Sequence, residues 1–85
     1  MPDSRYFIAD AVLTGLFALR DRDCEAIFAA FDQIAESPRD SADAMGRDWD
    51  NRLVCIAHFG RFEIGYVIAA GTETVTFTLL RPSRK

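Results

Sequence analysis

The segment HFGRFEIGYVIAAG, residues 58–71, decides the fold of this chain. Large apolar residues alternate along it with charged or smaller ones: Phe62, Ile64, Tyr66 and Ile68 with Arg61, Glu63, Gly65 and Val67. Such alternation predicts a half-buried β-strand. Arg61 and Glu63 are then expected to lie on the same face of a sheet, where they either act on a substrate or keep that face hydrated.

Two more strands are predicted beside this one. LVCIAHF, residues 53–59, is apolar on both faces, which suits a strand inside the sheet. TVTFTLL, residues 74–80, alternates threonines with apolar residues after a turn at residues 70–72. The alternation predicts one common core face, since a slip of one residue would expose all of it. Its members are Phe62, Ile64, Tyr66, Val75, Phe77 and Leu79.

The N-terminal half has a helical period instead. Apolar residues recur at helical spacing within residues 11–19 and more regularly within residues 24–35, where charged residues occupy the other side. Asp21 and Asp23 are expected to cap the second helix. The Ser37–Pro38 pair is expected to end it.

Two segments have no such regular pattern. RYFIAD, residues 5–10, fits either a short first strand or the start of the first helix. RDSADAMGRDWDN, residues 39–51, is a polar and acidic connection without periodicity, so no element is predicted there. Trp49 is expected to anchor this connection to the core.

Together these patterns predict one α+β domain spanning residues 1–85: an N-terminal helical hairpin, with or without a preceding short strand, packed on a three- to four-stranded, mainly antiparallel sheet. A domain of 85 residues has a net stability of about 4–13 kcal/mol. Cys24 and Cys55 lie in apolar stretches without metal-ligand spacing. We therefore expect reduced core thiols, no metal site and no cofactor.

The apolar segment FIADAVLTGLFAL, residues 7–19, is interrupted by Asp10 and is not followed by a cleavage site of small residues. It is also too short to span a bilayer. The sequence therefore predicts a cytoplasmic protein without membrane association.

The charges are divided unevenly along the chain. Residues 1–51 hold five arginines against eleven acidic residues, a net of −6, whereas residues 52–85 hold five basic residues against two acidic ones, a net of +3. Such an imbalance either reflects two unrelated solvated surfaces or equips the C-terminal half to contact an anionic partner. On the second interpretation, the candidate residues for binding a target or another partner are Arg52, Arg61, Arg81, Arg84 and Lys85.

The order of elements and several motifs resemble the RelE/ParE superfamily of bacterial type II toxin–antitoxin modules over nearly the whole chain. FALRDRDCEAIFAAFDQIAESP, residues 17–38, is similar to the family's helix pair, and Met45–Gly46 lies where the family often has a leucine–glycine pair. GRFEIGY, residues 60–66, is similar to the ParE-type pattern of Gly, Arg, aromatic, any residue, Ile, any residue and Tyr.

RelE-type members are ribosome-dependent messenger-RNA nucleases. For that activity the resemblance requires lysines on the strand before the turn, arginines on the strand after it and in the tail, and usually a later tyrosine. Such groups stabilise developing charge and move protons during attack by a 2′-hydroxyl. Alignment with this pattern puts Val54 and Ile56 at or near the lysine positions and Glu63 at the arginine position. Arg84 alone matches the nuclease set.

No catalytic residue can therefore be assigned from the resemblance. Glu63 and Arg61 are expected to form a pair that neutralises itself, and Glu63 would repel a phosphate where such a nuclease needs positive charge. The roles of Glu63 as a lone general base and of His58 stay open, although a histidine at the end of an apolar strand is more typical of a structural residue.

ParE-type members share the fold without the nuclease set and are understood to act on DNA gyrase. RPSRK, residues 81–85, resembles their tail, with Pro82 and Ser83 replacing the usual His and Gly. The resemblance implies a ParE-like, non-nucleolytic growth inhibitor of the plasmid-stabilization type, neutralised by a cognate antitoxin. The alternatives are a RelE-like nuclease acting on ribosome-bound messenger RNA and a degenerate, non-toxic binding module. Both a homodimer and a hetero-oligomer with the antitoxin stay open.

Overall fold

The computed structural model describes residues 6–83. Its elements are β1 (Tyr6–Ile8), α1 (Asp10–Phe17), α2 (Asp21–Glu36), α3 (Pro38–Ser41), β2 (Ala44–Arg47), β3 (Leu53–Phe59), β4 (Phe62–Ile68) and β5 (Val75–Pro82). The strands form one sheet in the order β1-β5-β4-β3-β2. β1 runs parallel to β5, and the other neighbours are antiparallel. The prediction of helices on a mainly antiparallel α+β sheet is confirmed.

The sheet of the described residues has five strands, one more than the predicted upper limit. RYFIAD does contain a strand, because β1 pairs with β5 from Tyr6, which lies opposite Val75. The additional strand is β2, in the connection where the sequence predicts no element. All four of its residues are exposed, so it has no core face to produce a period of two. Backbone pairing with β3 holds this edge strand in place.

The prediction that Trp49 anchors the β2–β3 connection to the core is wrong, since Trp49 is 92% exposed. Polar contacts stabilise this turn instead. The Asp48 carboxylate accepts hydrogen bonds from the backbone N–H groups of Asp50 at 3.0 Å and Arg52 at 2.8 Å. Asn51 adopts a left-handed φ of 64°, a conformation that asparagine tolerates better than most residues. Asp48 therefore stabilises this turn, which is the role that the sequence predicts for Trp49.

The core lies between the helices and one face of the sheet. Phe31 of α2 stacks on Phe77 of β5 with ring centroids 3.9 Å apart, and Tyr6 meets both rings edge-on. Tyr66 donates its hydroxyl hydrogen to the Pro38 carbonyl over 2.6 Å, which ties β4 to the start of α3. Five of the six residues predicted for the core face are buried there: Phe62, Ile64, Tyr66, Val75 and Phe77.

The sixth residue, Leu79, points away from the helices, so that part of the prediction is wrong. The register between β4 and β5 shifts just after Gly65, which lies opposite Leu79, and the shift leaves Thr78 unopposed. This bulge reverses the alternation of β5 beyond it. Leu80 consequently packs against the core. A Cβ at Gly65 would lie 2.8 Å from the Leu79 Cβ, so glycine is required at this crossing.

The ends of α2 agree only in part with prediction. α2 begins after Arg20, and no side chain makes a capping hydrogen bond there. The expected capping by Asp21 and Asp23 is therefore wrong. Both lie in the first turn, where negative charge favours the positive end of the helix dipole. The predicted boundary at Ser37–Pro38 is confirmed, because Ser37 is the C-cap and Pro38 opens α3, a position where its missing N–H is tolerated.

Both cysteines are free thiols, in agreement with the sequence. Cys55 is fully buried, and Cys24 is partly buried with its thiol 3.1 Å from the Leu16 carbonyl oxygen. Between residues 6 and 83, the structure contains no helix that combines the length and apolarity needed to cross a bilayer.

Candidate functional site

The face of the sheet opposite the helices, called the open face below, brings three ionisable residues together. Glu63 of β4 lies opposite His58 of β3 on one side and opposite Arg81 of β5 on the other. Directly opposed residues on paired strands share a face of the sheet. Three strands thus align a carboxylate, an imidazole and a guanidinium in a single row near the β3–β4 turn.

Close polar contacts connect the row. The Arg81 Nε donates to Glu63 Oε1 over 2.6 Å, and His58 Nε2 lies 3.6 Å from Glu63 Oε2. On the other side of the imidazole, Asp43 Oδ2 accepts the His58 backbone N–H at 2.8 Å and lies 3.2 Å from Nδ1. We call these four residues, Asp43, His58, Glu63 and Arg81, the charged row. The Glu63 side chain is only 15% exposed, which shields its carboxylate from solvent.

These contacts stabilise the charged forms at the two ends of the row. Two hydrogen bonds from His58 lower the pKa of Asp43. The bond from the backbone N–H has the larger effect, and the bond from the side chain has the smaller one. The hydrogen bond to the Glu63 carboxylate raises the pKa of Arg81 further above its ordinary range. When the imidazole is protonated, His58 forms ion pairs with both neighbouring carboxylates. The row is therefore a set of mutually compensating charges.

Arg61 does not pair with Glu63, contrary to the sequence interpretation. It lies in the β3–β4 turn and donates from Nη2 to Asp23 Oδ2 on α2 over 3.0 Å. Its guanidinium also lies over the Phe62 ring, 5.8 Å from the ring centroid. Its side chain is 75% exposed. The turn thus sends Arg61 toward the helix layer and leaves Glu63 on the open face with Arg81.

The other predicted basic residues are divided between the two ends of the sheet. Arg52 lies in the β2–β3 turn, at the end opposite Arg61, and pairs with Asp48 at 3.0 Å. Arg81 lies at the same end as Arg61, and the Ser83 N–H donates to the Arg61 carbonyl oxygen at 2.8 Å. The predicted positions 84 and 85, Arg84 and Lys85, lie outside the described residues. Arg61 and Arg81 are thus brought together, and Arg52 is not.

Next to the charged row, the open face between β3 and β5 carries an aliphatic strip. Val54 and Ile56 of β3, Val67 of β4 and Leu79 of β5 are partly buried there although no helix covers them. They lie around Gly65, where an added Cβ would be 3.4 Å from the Ile56 Cδ1 and 2.8 Å from the Leu79 Cβ. Val54 and Ile56 are also the residues that the sequence alignment puts at or near the lysine positions of the nuclease resemblance. This part of the face therefore offers dispersion contacts rather than positive charge.

The sequence patterns did not identify two arginines that the fold places beside Arg61, on the helix side of the sheet. Arg20 and Arg22, from the acidic half of the chain, line a depression with Asp23 and Arg61 at the start of α2. About forty residues separate them from Arg61, so no local pattern relates them. Asp43 was missed for the same reason, since only the pairing of β2 with β3 brings it to His58.

No protein-family model matches the sequence, and no curated protein matches it. Among solved structures, the chain is similar to a chain of the archaeal RelE–RelB complex from Pyrococcus horikoshii OT3. The TM-score is 0.76 at 16% sequence identity, and the match covers 95% of this chain and 98% of that chain. The chain therefore has the fold of the RelE toxins.

Proposed function

We propose that this chain is the toxin component of a type II toxin–antitoxin module and that a cognate antitoxin neutralises it. The observation that carries the proposal is the structural match to a chain of the RelE–RelB complex, which covers nearly all of both chains. Since a fold alone does not define a function, the side chains of the open face must indicate the mechanism.

The open face favours a ParE-like toxin that does not cleave RNA. A nuclease would need unpaired positive charge next to the scissile phosphate. Here the Glu63 carboxylate lies within 2.6 Å of the Arg81 guanidinium and compensates its charge. Val54 and Ile56 place aliphatic groups at or near the positions where the nuclease resemblance requires lysines. A protein target such as DNA gyrase fits this partly apolar surface better than an RNA backbone does.

One observation favours the second candidate, a RelE-like nuclease. The charged row contains His58 between two carboxylates, with Arg81 beyond Glu63. An imidazole oriented by a carboxylate is suited to general acid–base chemistry. In that case His58 would transfer the proton, and Arg81 would have to leave Glu63 to contact the phosphate.

Controlled expression with and without the product of the adjacent reading frame tests the proposal. We expect growth arrest that co-expression relieves, intact messenger RNA on ribosomes and inhibition of supercoiling by purified gyrase. Ribosome-dependent cleavage that disappears in Arg84→Ala or His58→Ala would establish the nuclease instead. Binding of the adjacent product without any effect on growth would identify a non-toxic binding module of the same fold.

A further inference from the structure

Two neighbouring depressions meet at the start of α2, on the helix side of the β3–β4 turn. The first has a volume of about 280 Å³ and is lined by Arg20, Arg22, Asp23 and Arg61. The second has a volume of about 310 Å³ and is lined mainly by Ala26, Ile27, Phe59, Gly60 and Phe62. Asp23 and Arg61 border both depressions. A basic cavity and an apolar cavity therefore lie side by side, and we call the two together the α2 cleft.

The basic half of the α2 cleft has an excess of positive charge. Three guanidinium groups face one carboxylate, that of Asp23, which is already paired with Arg61 and is 17% exposed. Arg61 itself is 75% exposed, and a guanidinium has five N–H donors, more than the contact with Asp23 uses. Arg20 and Arg22 are exposed as well. An anionic side chain entering this half would therefore meet several donors of charge-assisted hydrogen bonds.

The other half of the α2 cleft is suited to an apolar side chain. Its floor consists of Ile27 and Phe62, which are 1% and 8% exposed and so belong to the rigid core. Phe59 and the exposed Ala26 form its sides. A leucine or phenylalanine side chain that entered this half would bury much of its apolar surface, which favours binding. The volume of about 310 Å³ accommodates a side chain of that size.

We propose that the α2 cleft binds a segment of a partner protein that carries an acidic side chain next to a large apolar one. Charge complementarity specifies the acid, and the adjoining apolar half specifies its neighbour. A nucleic-acid backbone fits less well, because its charge repeats along the strand while the surface beyond Arg61 becomes apolar. The identity of the partner as the antitoxin rests on the proposed function, whereas the chemistry of the segment rests on the cleft alone.

Two substitutions probe the two halves of the α2 cleft, and each has a matched control. Arg22→Glu reverses a charge in the basic half, and Arg47→Glu does the same on β2. Ala26→Glu inserts a charge into the apolar half, and Ala29→Glu inserts one elsewhere on α2. All four positions are exposed, so the four variants should fold, which equal melting temperatures would verify.

The first probe is the product of the adjacent reading frame. The second is the glutamate peptide, a 16-residue amphipathic helix of leucine, glutamate and alanine, and the third is the lysine peptide, in which lysine replaces glutamate. The fourth is a single-stranded RNA 12-mer. Affinities are measured by titration calorimetry, and the contact site by amide chemical-shift changes. We expect the adjacent product and the glutamate peptide to perturb residues 20–27 and 59–62. We also expect Arg22→Glu and Ala26→Glu to lower the affinity for the adjacent product and for the glutamate peptide by about tenfold or more. The two control variants should bind with unchanged affinity.

The outcomes separate this inference from the proposed function. The product of the adjacent reading frame could fail to bind while the glutamate peptide still binds in the α2 cleft. That result would refute the proposed partner and support the cleft inference. Tight binding of the adjacent product that none of the four variants alters would support the proposed function and overturn the cleft inference. Preference for the lysine peptide, or RNA binding that Arg22→Glu abolishes, would also overturn it.

Discussion

Glu63 and Arg81 face each other across β4 and β5 and form an ion pair with Oε1 and Nε 2.6 Å apart. Arg81 is half exposed, whereas the Glu63 side chain is 15% exposed. The carboxylate is thus held against the sheet and compensates the charge of the guanidinium. The proposal that this chain does not cleave RNA rests mainly on this pair.

Replacing Glu63 by glutamine should therefore raise the affinity of the protein for polyanions. The substitution removes the charge that compensates Arg81, which shares its end of the sheet with Arg61. Elution from heparin at increasing salt measures the effect, because affinity for a polyanion depends on the number of cations available. Glu73→Gln is the control, since Glu73 also forms an ion pair with an arginine, Arg39, at the other end of the sheet. Equal shifts for the two variants would show that the Glu63–Arg81 pair has no special effect.

Phe77→Ala should cost about 3–5 kcal/mol in free energy of unfolding. Phe77 is fully buried, stacks on Phe31 and contacts Tyr6 and Tyr66. Urea denaturation measures the loss, which is a large part of a total of about 4–13 kcal/mol for a chain of this length. Phe17→Ala is the control, because Phe17 is 86% exposed and its loss should change stability by no more than about 0.5 kcal/mol. A loss below about 1 kcal/mol for Phe77→Ala would contradict the core assignment.

Tyr66→Phe should lower the free energy of unfolding by about 0.5–1.5 kcal/mol at neutral pH. The phenylalanine keeps the ring in the core but removes the hydrogen bond to the Pro38 carbonyl oxygen. The test is urea denaturation near pH 7. An unchanged stability would mean that this hydrogen bond does not hold α3 to β4.

The same tyrosine should make the protein sensitive to alkali. Burial raises the pKa of Tyr66 well above its ordinary value of 10.0. A group whose pKa is higher in the folded state contributes stability that is complete below the unfolded pKa and declines as pH rises above it. The difference in stability between the wild type and Tyr66→Phe should therefore shrink from about pH 9 to about pH 11. A difference that is constant over this range would exclude the proposed coupling.

Asp43→Ala should lower the melting temperature at neutral pH but not in acid. The hydrogen bonds from His58 lower the pKa of Asp43 below its ordinary value of 3.8. A group with a lowered folded-state pKa contributes stability above its unfolded pKa and loses that contribution as pH falls through the folded value. Melting curves of both proteins should therefore differ at pH 7 and converge as the pH falls below the ordinary pKa of 3.8. Curves that stay equally far apart in acid would refute the role of this carboxylate.

Trp49 should behave as a water-exposed indole. It is the only tryptophan in the chain, so its fluorescence reports on one position, and we expect red-shifted emission that acrylamide quenches efficiently in the folded protein. Trp49→Ala should change the free energy of unfolding by no more than about 0.5 kcal/mol. Blue-shifted emission that acrylamide does not quench would show instead that Trp49 is buried in the core.

The sequence by itself determined the elements that have a buried face. β4, β5 and α2 each bury one side, so their apolar residues had to recur with a period of two or 3.6, which is visible in a single chain. β3 was visible instead as a short continuous apolar run. These periods also identified five of the six core-face residues on β4 and β5. β2 was not predicted because an edge strand without a core face has no such period.

The tertiary structure alone decided which charges meet. The bulge at Gly65 and Thr78 reverses the alternation of β5, which turns Leu79 outward and Leu80 inward. Only the β3–β4 turn, closing against the first turn of α2, separates Arg61 from Glu63 and joins it to Asp23. The physical reason is that a charge interacts through space with whatever the packing of apolar faces brings near, and no local pattern in the sequence records that distance.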